Sequence, residues 1–137
     1  GSTTNNGEQG VYRYDGVSWE HDQMYNVQCV SVVNSSLGFS TMHGDIGGWY
    51  CGLSQYTNGQ WNSLTLPGTA SSYWGYTPVD APSTNTVWFG SDKIYKYDGF
   101  QWFAETGDIG NEVKIIQMLD ENIGFSVTGN GTILKRY

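Results

Sequence analysis

Tyr97-Asp98-Gly99-Phe100-Gln101-Trp102 is the third occurrence of one phrase. It follows Tyr14-Asp15-Gly16-Val17-Ser18-Trp19 and Tyr56-Thr57-Asn58-Gly59-Gln60-Trp61. With Tyr137, the tyrosines fall 42, 41 and 40 residues apart, and the tryptophans 42 and 41. A constant period of this length across unlike intervening sequence is the mark of a repeat architecture, and it matches one propeller blade. Asp15-Gly16, Asn58-Gly59 and Asp98-Gly99 are tight-hairpin dipeptides, whose central residues reach positive φ. Alternating strands flank them, Val11–Tyr14 and Ile94–Tyr97 before the turn and Trp19 and Trp102 after it. The landmark Trp closes each hairpin, so Trp19, Trp61 and Trp102 are expected in the core.

Working outward, the intervals hold further strands. The pattern predicts strands near 11–15, 27–33, 37–42, 53–56, 60–65, 76–80, 86–90, 93–97, 101–105, 113–119, 123–128 and 132–137, with polar turns at Asn34–Ser36, Ser83–Asn85 and Asp120–Asn122. The fold class is therefore all-β: antiparallel four-stranded meanders a-b-c-d, β-propeller-like, with about three blades per chain. Pro78 and Pro82 weaken the first strand of the second repeat, which suits a short or edge strand. The chain opens with c and d, carries two full units, and ends with a, b and c. Three and a half blades do not close a ring. Either the chain is part of a longer propeller, or several copies complete one another, or the terminal strands share a blade. Residues 1–10 read as a tag remnant (Gly1-Ser2) and a polar linker, and 11–137 as the repeat domain.

Composition agrees. Of 137 residues 19 are Gly, 15% are aromatic and only 14% charged, against about 25% in ordinary globular chains. This is the profile of secreted or surface β-proteins, so an extracellular or cell-surface location is expected. A net charge of −7 with six Lys plus Arg excludes nucleic acid, which requires a positive field, and disfavours an anionic membrane surface. No apolar run is long enough for membrane insertion as a helix.

The stretch Val113–Tyr137, through Gly124, Phe125, Val127, Gly129, Gly131, Ile133, Leu134 and Tyr137, resembles the degenerate repeats of bacterial propellers related to sialidase-type (Asp-box or BNR-like) surface proteins. The segment Gly10–Trp19 is also similar to segments of phage-like tail fibres and fibrous adhesins. Small tandem-repeat lectins, which build propellers from several short chains, are a looser likeness. The first resemblance implies a propeller, but a sialidase would need an arginine cluster, and the chain has only Arg13 and Arg136.

Other catalytic chemistry is equally thin, and no enzyme is expected. His21 and His43 are two histidines without partners at metal spacing, so neither a metal nor another cofactor is expected. No Gly-x-Ser-x-Gly elbow is present. Asp92, Asp98, Glu105 and Asp108 are candidate paired carboxylates for glycoside hydrolysis, but Asp98 is better explained as a turn former. Gly44-Asp45-Ile46-Gly47 and Gly107-Asp108-Ile109-Gly110 occupy different places in the repeat. Cys29 and Cys51 are an even count that suits a disulfide. Yet strand b between them sets their strands about 9.6 Å apart, beyond the ~7 Å limit on Cα separation, and both outcomes stay open.

Function is read from the insertions. The first unit has a long b–c loop, Met42–Gly52, with Asp45, Trp49 and Tyr50; the following d–a connection, Pro67–Gly75, carries Tyr73 and Trp74, with Tyr76 beyond. In a meander, b–c and d–a connections emerge at the same end, so these aromatics share a face. Trp49, Tyr50, Tyr73, Trp74, Tyr76 and Asp45 are the candidate ligand-binding residues: exposed Trp and Tyr give rigid contact area and stack on sugar faces. The expected function is a non-catalytic recognition module, adhesin or lectin-like, for cell-surface glycan or glycoprotein. The alternative is a structural or assembly repeat of a larger propeller or fibre. A homo-oligomer or a longer chain is expected in either case, since open strand edges otherwise invite aggregation.

Overall fold

The computed structural model describes residues 9–24, 26–43, 51–66, 77–107 and 109–137, and all regular structure within them is β. The hairpin β1 (Gly10–Tyr14) and β2 (Trp19–Gln23) comes first. The first full sheet follows with β3 (Val27–Asn34), β4 (Leu37–His43), β5 (Cys51–Thr57) and β6 (Gln60–Leu64). The second holds β7 (Val79–Ser83), β8 (Thr86–Gly90), β9 (Ile94–Tyr97) and β10 (Trp102–Ala104). The third holds β11 (Val113–Met118), β12 (Gly124–Thr128) and β13 (Ile133–Arg136). Within each sheet every strand pairs antiparallel with its chain neighbour. The expected sequence of c-d, two full meanders and a-b-c is what the sheets show.

Three local expectations need correction. Only Asn58-Gly59 is a two-residue turn, closed by Thr57 opposite Gln60, with φ of 54° and 80°. Asp15-Gly16 and Asp98-Gly99 begin four-residue loops, since Tyr14 pairs with Trp19 and Tyr97 with Trp102. There only the Gly has positive φ, and the Asp acts through its side chain. Asp15 Oδ1 accepts from the Val17 and Ser18 N–H groups, and Asp98 Oδ1 from those of Phe100 and Gln101. Asp120 does the same for Asn122 and Ile123. These backbone donors hold all three carboxyls below the ordinary carboxylate pKa.

Second, the first strand of the second repeat is Val79–Ser83 rather than 76–80. Its register shifts between Asp80 and Ser83, and Pro82, which has no N–H to give a ladder, sits at that irregularity. Third, the last tyrosine is out of phase. Tyr56 stands opposite Gly38 and Tyr97 opposite Val87, but Gly124 faces Arg136. The shared Gly-Phe-Ser of β4 and β12 fixes this register, so Arg136 occupies the repeat position and Tyr137 lies one residue beyond it.

Sheets pack face to face. Phe39, Leu53, Val79, Ala81 and Val87 form the core between the first and second sheets; Trp88, Ile94, Val113 and Ile116 form that between the second and third. Burying such a side chain contributes roughly 1.5–3 kcal/mol. Asp80 on β7 ties the inner strands together: it accepts from Ser31 Oγ on β3 at 3.0 Å and from the Met118 N–H on β11 at 2.6 Å. Cys29 is a free thiol directed at the Val79 carbonyl, 3.6 Å away. β4 separates the strands of Cys29 and Cys51 as expected; the Cys51 side chain lies outside the described residues.

Candidate functional site

The repeated phrase yields a repeated object, a Tyr–Trp pair on one face of each sheet. Ring centroids are 5.3 Å apart in Tyr14–Trp19, 5.3 Å in Tyr56–Trp61 and 5.2 Å in Tyr97–Trp102. Cross-strand aromatic pairs of this kind stabilise a sheet. The surroundings of the three pairs differ. Tyr97 and Trp102 pack against the core shared with the first sheet. Tyr56 is 7% exposed, with Arg13 of the hairpin above its ring at 5.4 Å. Tyr14 and Trp19 are 55% and 67% exposed. Trp19 is therefore a surface residue, against the expectation of a core one, because no described sheet lies over the hairpin's outer face.

That outer face is an aromatic platform. Tyr12 stacks on His21 at 4.6 Å beside the Tyr14–Trp19 pair. The inner face is polar and tied down: Arg13 pairs with Glu20 and, at 3.9 Å, with Asp22, which accepts from Trp61 Nε1 at 3.2 Å. Between hairpin and first sheet runs a groove of about 470 Å³, whose floor includes Val30, Val32 and Gly38. Val32 is 69% exposed. The groove lies where the two inner strands of the hairpin's own sheet would stand. The Tyr-x-Tyr alternation of β1 and the Trp-x-His of β2 were the available signal for this platform.

A second opening, about 210 Å³, separates the second and third sheets, lined by Trp88, Ile94, Ile116, Met118 and Leu134 with Glu105 and Arg136 at its mouth. Asp45, Trp49, Tyr50, Tyr73, Trp74 and Tyr76 all lie outside the described residues, as does Asp108. The stems of their two segments are described. Thr77, where the second segment ends, binds Gln28 through its N–H and hydroxyl, and its carbonyl accepts from Thr41 Oγ1 at 2.6 Å. Thr41 lies two residues before the end of β4, where the first segment departs. The two stems thus meet at one end of the sheet.

Of the candidate carboxylates, Asp98 caps its turn, Asp92 is buried and accepts from the Tyr95 hydroxyl at 3.3 Å, and Glu105 pairs with Arg136. Among the described residues no group of three His, Cys, Asp or Glu could hold a metal ion, and no helix is long and apolar enough to cross a membrane.

Meandering antiparallel sheets packed face to face around shared inner strands define a β-propeller-like fold. A solved structure of that class, YCF48 bound to a D1 peptide, is similar over 82% of this chain, with a TM-score of 0.64 and 19% identity. The chain spans 37% of that protein's length. At this identity the likeness shows the fold alone. No family model and no curated protein matches the chain.

Proposed function

We propose that this chain is a non-catalytic recognition and assembly domain, extracellular or on a cell surface, which binds protein through its open sheet faces. The observation that carries this is the contrast among the Tyr–Trp pairs: covered by a neighbouring element in two sheets, bare in the hairpin. A rigid aromatic platform beside an apolar groove matches the chemistry of protein recognition sites. Among the described residues no strand pairs with the edge of β1 away from β2, and that edge adds main-chain donors and acceptors for an incoming strand. What covers the face is then an extended or β-rich segment, supplied by further repeats, a second copy or another protein. The peptide in the YCF48 structure agrees with a protein ligand. The non-catalytic part rests on the carboxylates, since those of the repeat are engaged in capping turns.

A second reading, binding of cell-surface glycan through Trp49, Tyr50, Tyr73, Trp74, Tyr76 and Asp45, is favoured by the meeting of the two loop stems at Thr41 and Thr77. One experiment separates the two. The protein is panned against a display library of extended peptides and probed on a glycan array, alongside Trp19→Ala and Trp49→Ala/Trp74→Ala variants. Peptide capture lost in Trp19→Ala supports the first reading. Glycan binding lost only in the double variant overturns it in favour of the second.

A further inference from the structure

The three turns of the repeated phrase are held in different ways. In the Asp15 and Asp98 loops the carboxylate accepts two backbone N–H groups. The Asn58-Gly59 turn is held by its flanking strands alone, with Thr57 opposite Gln60. Among the described residues neither the Asn58 side-chain amide nor the Gly59 N–H has a hydrogen-bond partner. Asn58, Gly59 and Gln60 are all exposed. Nothing lies within 4 Å of the place a Gly59 Cβ would occupy.

An asparagine amide and the N–H that follows it are the two reactants of an intramolecular acyl transfer. The chain joins them, so the step is unimolecular. The Gly59 nitrogen attacks Asn58 Cγ and loses its proton to solvent base. A bond forms between that nitrogen and Cγ while the Cγ–Nδ2 bond breaks, and Nδ2 takes up a proton and leaves as ammonia. Water then opens the cyclic imide at either carbonyl, giving aspartate or isoaspartate. Water is the only co-reactant, and nothing is oxidised or reduced. A side chain on the attacking residue would obstruct the approach, and Gly59 has none.

The same dipeptide at Asn130-Gly131 provides an internal contrast. There the Gly131 N–H donates to the Thr128 carbonyl at 2.9 Å. Asn130 Oδ1 accepts from Thr128 Oγ1 at 2.6 Å and from the Thr132 N–H at 3.1 Å. Both reactants are engaged, and those bonds must break before the ring can close. We propose that Asn58 is a site of spontaneous deamidation and isoaspartate formation, and that the fold spares Asn130. The isoaspartyl product carries an extra methylene in its main chain. A two-residue turn has no slack to absorb it, so the Thr57–Gln60 pairing opens beside the Tyr56–Trp61 pair. The proposal is independent of protein docking at the hairpin.

The test incubates the whole chain in mildly alkaline buffer and follows it by tryptic mapping with mass spectrometry. Asn58 and Asn130 fall in different tryptic peptides, residues 14–93 and 115–135, and fragment spectra assign the reacting residue. Asn58 should deamidate about tenfold or more faster than Asn130, since each hydrogen bond that must first break slows closure by about three- to tenfold. In urea above the unfolding transition the two rates should converge, because the dipeptide is the same and only the fold distinguished them. The isoaspartyl form should melt at a lower temperature than Asn58→Asp, which carries the same charge on an ordinary backbone. An unreacted Asn58, a rate at Asn130 equal to or above that at Asn58 in the folded chain, or a difference that survives in urea each overturns the proposal. An isoaspartyl form as stable as Asn58→Asp overturns the opening of the turn.

Discussion

The two boundaries between packed sheets in this molecule differ in strand content: four strands of the second sheet meet the first, and three strands of the third meet the second. Between the first and second sheets Phe39, Leu53 and Val87 meet Tyr97 and Trp102, and among the described residues no polar atom of this core is stranded. Between the second and third, Gly124 and Ser126 replace bulk, and Trp88 Nε1 is left without a partner. In the second sheet the fourth-strand Trp102 packs against Phe89 and Tyr97, whereas among the described residues the third sheet has no fourth strand to cover Ser126 and Arg136.

The largest expected effect compares a covered sheet face with an open one. Phe39 and Phe125 occupy equivalent places in the Gly-Phe-Ser of β4 and β12, yet one is 1% and the other 42% exposed. Phe39→Ala should cost about 3–5 kcal/mol through the cavity it leaves. Phe125→Ala should cost under about 1 kcal/mol. Urea unfolding of both variants measures the difference, and equal losses would break the comparison.

Next in size is Asp80, which serves both boundaries at once by accepting from Ser31 and Met118. Each hydrogen bond to a charged group contributes about 1.5–3 kcal/mol, so Asp80→Ala should lose about 3 kcal/mol or more. Amide hydrogen exchange should rise at Met118 and in β3 together. A change confined to one sheet would mean that the boundaries are not coupled through the inner strands.

Smaller again is a turn remote from both boundaries. Gly59 has φ of 80° with open space around its Cα, so an added methyl group meets only backbone strain. Gly59→Ala should cost about 1–2 kcal/mol, read as a lowered melting temperature with an unchanged m-value.

Much of this was legible in the sequence. The spacing of Tyr14, Tyr56 and Tyr97 and of their tryptophans located the hairpins, because a pair on adjacent strands must recur with the fold. Periodicity could not distinguish Trp19 from Trp102: both close a Tyr-Asp-Gly-x-x-Trp phrase, and exposure depends on which sheet lies over it. The slip at Tyr137 was hidden for a related reason, since a tyrosine one residue out of phase still ends an alternating strand. The equivalence of Gly124 and Ser126 with Gly38 and Ser40, and with Val87 and Phe89, emerges only from strand register, because small and large residues alternate alike along a strand. The loop aromatics at 49, 50, 73, 74 and 76 follow from insertion length, and the stems of their two segments meet through Thr41 and Thr77.

The smallest expected effect concerns pH and separates the turn types rather than the boundaries. Asp15, Asp98 and Asp120 each accept two backbone N–H bonds, which lower their pKa in the folded state, while Asn58-Gly59 caps its hairpin without a carboxylate. A carboxyl with a depressed folded pKa binds fewer protons folded than unfolded, so stability rises with pH across that window. The contribution is complete above the unfolded value near 3.8 and disappears as the pH falls through the lower folded value. All three carboxylates are at the surface and screened by water, so each contributes little to stability. Melting temperature followed from pH 6 downward should fall with acid more steeply in the wild type than in Asp98→Asn, whose amide oxygen still accepts but does not titrate. Parallel curves for the two proteins would mean that the Asp98 loop contributes nothing through its charge.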